Sequence, residues 1–229
     1  MLVPLWCGPA LAQGAAVTIR AGQLLDGRGG ATRNATLVVD GATIARVDAG
    51  AAATPTYDLS RLTVLPGLID SHVHLTWYIN SRGKLHQPGD GDTPGQAALA
   101  AAGNAYATLM AGFTTVQSMG APDDAALRDA VARGLIPGPR ILTTLGSLSE
   151  RSGPPDSVRA VVRKFKADGA DAVKIFASAS IRDGGTPTMT DAQLQAACGE
   201  ARAVGLRSIV HAHSAESMRS AALAGCTQV

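Results

Sequence analysis

From Leu62 onward the chain alternates short apolar runs with longer helix-like stretches, and five rounds of this rhythm constrain the fold more than anything else in its 229 residues. The apolar runs are the one ending at His74, then Thr114 to Ser118, Ile141 to Leu145, Ala172 to Phe176 and Ser208 to His211. Helices are predicted between and after them, over about 94–111, 122–133, 156–167, from 191 to Gly205, and 214–224. Local punctuation agrees with those limits. Thr93 is placed to cap a helix with Pro94 at its first position, Thr190 and Gln193 have capping-box spacing, and Gly112, Gly134, Gly205 and Gly225 act as stops. Val158, Val161, Val162 and Phe165 form an i, i+3, i+4, i+7 stripe, so that helix buries one face. Thr227-Gln228-Val229 reads as the start of a sixth strand.

Alternation of this kind favours a parallel sheet with helical crossovers. Five units without a switch in strand order predict an α/β fold, a partial (β/α)8 TIM barrel over residues 63–229. An open doubly wound sheet is the alternative, but no G-x-G-x-x-G or Walker-type loop follows any strand. Ahead of the barrel, residues 13–62 read as a small β module: Val17 to Ile19, Ala35 to Val39 and Thr43 to Val47, with Asp40-Gly41 as a hairpin turn. Residues 1–12 resemble the apolar part of an export signal, with Ala10-Leu11-Ala12 as the cleavage site. The segment lacks a positive start and is too short to span a bilayer. A periplasmic or secreted protein is expected, with a cytoplasmic one as the alternative.

Composition removes several classes of function. A formal net charge of +2 with scattered Lys and Arg argues against nucleic-acid and membrane partners, and 3% aromatic residues leave no base-stacking platform. The expected partner is a small-molecule substrate, and a homo-oligomer is compatible with the chain. Cys7, Cys198 and Cys226 have neither metal-type spacing nor the look of a disulfide framework, so Cys198 and Cys226 read as small core residues.

The chemistry-bearing residues fall at the C-terminal ends of the predicted strands, where barrel enzymes place their active sites. His72 and His74 lie two apart on a strand, so they share a face about 7 Å apart along the chain. A lone His-x-His is a weak signal, commonly a satisfied polar group at a strand end. Lys174 lies inside a strand that periodicity buries, where an ammonium costs several kcal/mol unless paired or neutral. It needs a carboxylate partner, or it loses its proton and reacts with CO2 to form a carbamate. His211 and His213 close the fifth strand on one face.

Residues 65–75, 169–178, 180–185 and 210–213 together resemble the amidohydrolase superfamily, in its prolidase-like and imidazolonepropionase-like subgroup. The resemblance implies a metal-dependent hydrolase of carbon–nitrogen, amide-type bonds, acting on a dipeptide or another N-acyl amino acid. It implies two divalent metal ions, with zinc the expected metal, and a metal-bridging hydroxide as nucleophile. His72 and His74 match the ligands of the more buried ion. Lys174 matches the bridging lysine, carrying a CO2-derived carbamate, and His211 matches a ligand of the second ion. His213 would act beside them, as a substrate contact or behind the ligands. Two alternatives stand next to this reading: a single-metal aminohydrolase that uses His213 and Glu216, and a non-catalytic module. The family pattern also has a strand-six histidine and a strand-eight aspartate, which do not occur before Val229. The expectation is therefore an incomplete fragment with weak metal binding and negligible hydrolysis on its own. His86, Tyr78 and Arg182 are expected to be solvated loop residues, and Asp183 to orient the loop after the fourth strand.

Overall fold

The computed structural model describes residues 16–50, 54–87 and 89–229, and the chain divides between Pro66 and Gly67 into two compact units. The export segment at residues 1–12 and Cys7 lie outside the described residues.

The first unit is a four-stranded sheet in the order β3-β2-β1-β4, built from β1 (Val17–Leu25), β2 (Ala31–Asp40), β3 (Thr43–Ala49) and β4 (Tyr57–Val64). The Asp40-Gly41 turn joins β2 to β3 with Gly41 at φ 55°, a left-handed conformation that glycine adopts without strain. Ala21, Leu24, Ala35 and Leu37 form its core. Strand β4 is absent from the sequence reading, because Tyr57, Arg61, Leu62 and Thr63 are all exposed and no clean alternation results. It pairs parallel to β1 across a register shift at Gly22, where a Cβ would stand 2.3 Å from the Ser60 carbonyl oxygen.

The second unit carries the strand–helix repeat. Its strands are β5 (Leu68–Val73), β6 (Phe113–Ser118), β7 (Arg140–Thr143), β8 (Ser147–Leu148), β9 (Ala172–Phe176) and β10 (Arg207–His211). The helices are α1 (Pro94–Met110), α2 (Asp124–Ala132), α3 (Pro155–Ala167), α4 (Asp191–Ala203) and α5 (Ala215–Leu223). Thr93 and Thr190 each close a reciprocal capping box, with Gln96 and Gln193. The named strands pair in parallel, in the orders β5-β6-β7 and β8-β9-β10, and Gln228 bridges in parallel to Ile209 as the start of a sixth strand. This is a mixed α/β fold with the consecutive parallel order of a partial (β/α)8 barrel.

Two expectations need correction. The third barrel strand, read as Ile141 to Leu145, stops at Thr143 and resumes at Ser147, so β7 pairs with β6 while β8 pairs with β9. Between them Leu145 takes φ 56°, and Gly146 lies where a Cβ would stand 2.8 Å from the Phe165 ring. The backbone must break strand geometry to let that aromatic ring pack. Cys198 and Cys226 are not independent core residues; they form a disulfide. Packing of α4 against α5 brings their Cα atoms to 5.0 Å, inside the range a disulfide requires, whereas 28 residues of sequence separation carry no such signal.

Strand alternation separates two faces. Val173, Ile175 and Val210 join a core with Val158 and Val162 of α3 and Leu194 and Ala197 of α4, while Val73 packs with Val116, Ala101 and Ala105. The residues between them therefore project from the other face of the sheet: His72 and His74 at the end of β5, Lys174 and Phe176 on β9, and Ile209 and His211 on β10.

Candidate functional site

Lys174 is 1% exposed and is the bulkiest fully buried side chain among the described residues. Its Nζ lies 3.3 Å from His72 Nε2 and 5.2 Å from the centroid of the Phe176 ring. Among the described residues no carboxylate pairs with it. Burial pulls this amine from 10.5 down to about 8, so losing its proton near neutral pH is far easier than for a solvated lysine.

The histidines respond to the same surroundings. Desolvation, reinforced by the charges of His72 and Lys174, holds His74 down at about 4. Desolvation and then Lys174 lower His72, and desolvation followed by His213, Lys174 and His72 lowers His211. These rings are neutral at pH 7 and keep lone pairs free for a Lewis acid. The rings of His72 and His74 are 5.5 Å apart, and those of His211 and His213 meet edge to face at 4.3 Å. Phe176 lies 5.1 Å from the His211 ring and fills space beside it.

The cluster thus unites His72, His74, Lys174 and His211, as their strand positions led us to expect, with His213 at its exposed edge. The His213 amide donates to Ser178 Oγ at 3.0 Å, and Gly185 packs so closely that a Cβ there would come within 2.9 Å of His213 Cβ. Glu216 is exposed in the first turn of α5 and has no bond to His213, so nothing in the geometry joins them as a proton-shuttling pair.

Among the described residues no three His, Cys, Asp or Glu side chains stand together in a position to hold a metal ion. The two histidine pairs become larger donor sets only if Lys174 contributes, as a neutral amine or as its carbamate. On that condition the chemistry fits a divalent cation: neutral imidazoles, an amine with a depressed proton affinity, and no competing carboxylate on Lys174.

Several residues around the cluster escaped the sequence reading. Trp77 stacks on His74 at 3.9 Å, and Asp70 Oδ1 accepts from the His72 amide at 3.0 Å. His86 is half-buried rather than freely solvated: it stacks on Tyr78 at 4.7 Å, and its Nδ1 is 3.0 Å from Asp92 Oδ2, which also accepts from the Tyr78 hydroxyl. An aromatic three residues after the second histidine and a Tyr-Asp pair flanking a polar loop were the available signals. Arg182 is exposed as expected, and Asp183 closes a 3-10 turn through its own amide.

Residues 63–227 match the profile of the Amidohydrolase family. The chain belongs to that family. Among solved structures, this amidohydrolase resembles a Xaa-Pro dipeptidase with bound methionine at 30% identity and TM-score 0.82, over 93% of this chain and 60% of that one. It also resembles a putative prolidase from Bifidobacterium longum at 30% identity and TM-score 0.73, over 92% of this chain and 53% of that one. Molinate hydrolase, at 21% identity and TM-score 0.77 over 93% and 57%, bears on the fold alone. The amidohydrolase chain therefore spans about 60% or less of the length of these relatives. No curated protein matches it.

Proposed function

We propose that this amidohydrolase serves in metal-dependent hydrolysis of carbon–nitrogen bonds, on a dipeptide with C-terminal proline or a similar N-acyl amino acid. The observation that carries the reading is Lys174, fully buried, unpaired with any carboxylate among the described residues, and 3.3 Å from His72 Nε2. Similarity to a Xaa-Pro dipeptidase and a putative prolidase supports the substrate class.

In this reading His72 and His74 would hold one divalent ion, zinc being the expected metal, and His211 would contribute to a second. The neutral Lys174 amine would attack CO2: a C–N bond forms as one C=O π bond opens onto oxygen, the nitrogen releases one proton to solvent, and the carbamate anion would add oxygen donors to the histidine set. Bound metal would supply Lewis acidity toward the scissile carbonyl and an acidified water as nucleophile. The depressed proton affinities keep His72, His74 and His211 available as donors at neutral pH. His213, at the exposed edge, would touch substrate or stand behind the ligands.

The disulfide between Cys198 and Cys226 supports an exported location, since such bonds persist in oxidising compartments. The test is metal analysis of the purified protein with hydrolysis assays on Xaa-Pro dipeptides, for wild type and Lys174→Ala. Two equivalents of zinc and measurable turnover, both lost in the variant, are expected of a protein that also carries the later barrel strands, and zinc stoichiometry and kinetics are read there; the 229 residues alone are expected to bind zinc weakly and to hydrolyse negligibly. One ion per chain with Lys174→Ala fully active would overturn the bridging role.

A further inference from the structure

The turn after β5 is held unusually firmly. Leu75 is buried in the core, its amide donates to Ser118 Oγ at 3.3 Å, and Asn104 of α1 donates through Nδ2 to the carbonyls of Leu75 at 2.9 Å and Trp77 at 2.7 Å. The Trp77 amide donates back to the His74 carbonyl at 3.0 Å. This clamp presents the indole to His74, with ring centroids 3.9 Å apart and only 13° between the planes.

A metal-binding histidine ordinarily has its ring plane fixed by a hydrogen bond from its other nitrogen. For His74 that bond is weak: the Met119 backbone lies close enough to raise its proton affinity, but among the described residues no well-formed hydrogen bond reaches Nδ1. The His72 ring is tilted against it at 5.5 Å, so the parallel, close-packed indole is the contact best placed to restrain rotation of the imidazole. Trp77 also remains 54% exposed, and among the described residues no second ring covers its other face.

We propose that Trp77 is a positioning and specificity residue: one indole face fixes the plane of His74, and the other is a platform for an apolar ring on the substrate. This rests on the metallohydrolase reading above. A ring-shaped substrate residue such as a C-terminal proline would lie on the free face, where a flexible or charged side chain gains less.

The test compares wild type, Trp77→Phe and Trp77→Ala, first confirming equal thermal melting for wild type and Trp77→Phe. Zinc titration calorimetry should show about ten-fold weaker binding for Trp77→Ala and near wild-type binding for Trp77→Phe. With dipeptides, Trp77→Ala should raise KM for Xaa-Pro more than for Xaa-Ala. In a Trp6→Phe background, where Trp77 is the only tryptophan, Co2+ should quench its emission at the concentrations at which the ion binds. Wild-type zinc affinity in Trp77→Ala overturns the positioning role, and an unchanged KM ratio overturns the platform. A wild-type protein that takes up no zinc defeats the metal-site reading itself and this proposal with it, an outcome distinct from either.

Discussion

Lys174 Nζ and His72 Nε2 meet at 3.3 Å across 102 residues of sequence, in a place where no carboxylate pairs with the amine among the described residues. An unpaired buried amine is a liability for stability, so its presence argues for function. Replacing it with a chain of similar length and no charge separates the two. Lys174→Met should fold and melt at or above the wild-type temperature, by the equivalent of about 1 kcal/mol. Its zinc content should fall to one ion or none, and kcat/KM should drop by more than the roughly 10–100-fold typical of outer-shell partners. A Lys174→Met protein that melts well below wild type, or hydrolyses as wild type does, speaks against this account.

Acid should destabilise the metal-free protein through His74. Burial and the charges of His72 and Lys174 hold this ring near 4 in the folded state, against 6.5 for a solvated imidazole. As pH falls from 6.5 toward 4 the unfolded chain takes up a proton that the folded one refuses, so stability declines through that window and is fully present above it. Urea unfolding midpoints of metal-free protein between pH 7 and pH 4 measure the slope. His74→Gln, which cannot take up the proton, should show a shallower decline; identical slopes would remove His74 as the cause.

The legible and illegible parts of the molecule divide along physical lines. Helix starts could be read because Thr93 and Thr190 use their own neighbours, Gln96 and Gln193, to close capping boxes. Strand β9 could be read to the residue because its five positions are an unbroken apolar run around Lys174. What escaped depends on partners distant in sequence. Phe165 of α3 breaks the third strand at Gly146, α4 and α5 bring Cys198 to Cys226, and β4 gains its strand identity from β1 rather than from its own pattern. The site followed the same rule. The nearness of His72, His74, Lys174 and His211 follows from their strand positions, whereas Trp77 and the Tyr78–His86–Asp92 contacts arise from loop conformation that no periodicity encodes.

Gly185 offers a way to move His213 without changing it. It sits at φ 64°, and an added Cβ would lie 2.9 Å from His213 Cβ, so alanine there is strained in its backbone and displaces the ring. Gly185→Ala should cost about 1–2 kcal/mol of stability and lower kcat while leaving the first zinc equivalent in place, since His72, His74 and Lys174 are untouched. Calorimetry of unfolding, zinc titration and steady-state kinetics on one preparation give the three readings. Loss of the first zinc equivalent would mean that His213 belongs to the primary ligand set.

Reduction should weaken the second unit without altering its chemistry. The disulfide ties Cys198 in α4 to Cys226, just before Gln228 bridges to β10. Cross-linking residues 28 apart restricts the unfolded chain by roughly 3–4 kcal/mol in the chain-entropy picture, and measured values are commonly lower. Cys198 is 1% exposed, so Cys198→Ala combines loss of the bond with a small void, whereas half-buried Cys226 tolerates serine; Cys226→Ser is the cleaner variant. Its melting temperature should match that of wild type in dithiothreitol and fall several degrees below oxidised wild type. Zinc content should be the same in all three, because neither sulfur lies among the site residues. Equal melting of oxidised and reduced wild type would show that the thiols are not joined in solution, and would withdraw the support this bond gives to an exported location.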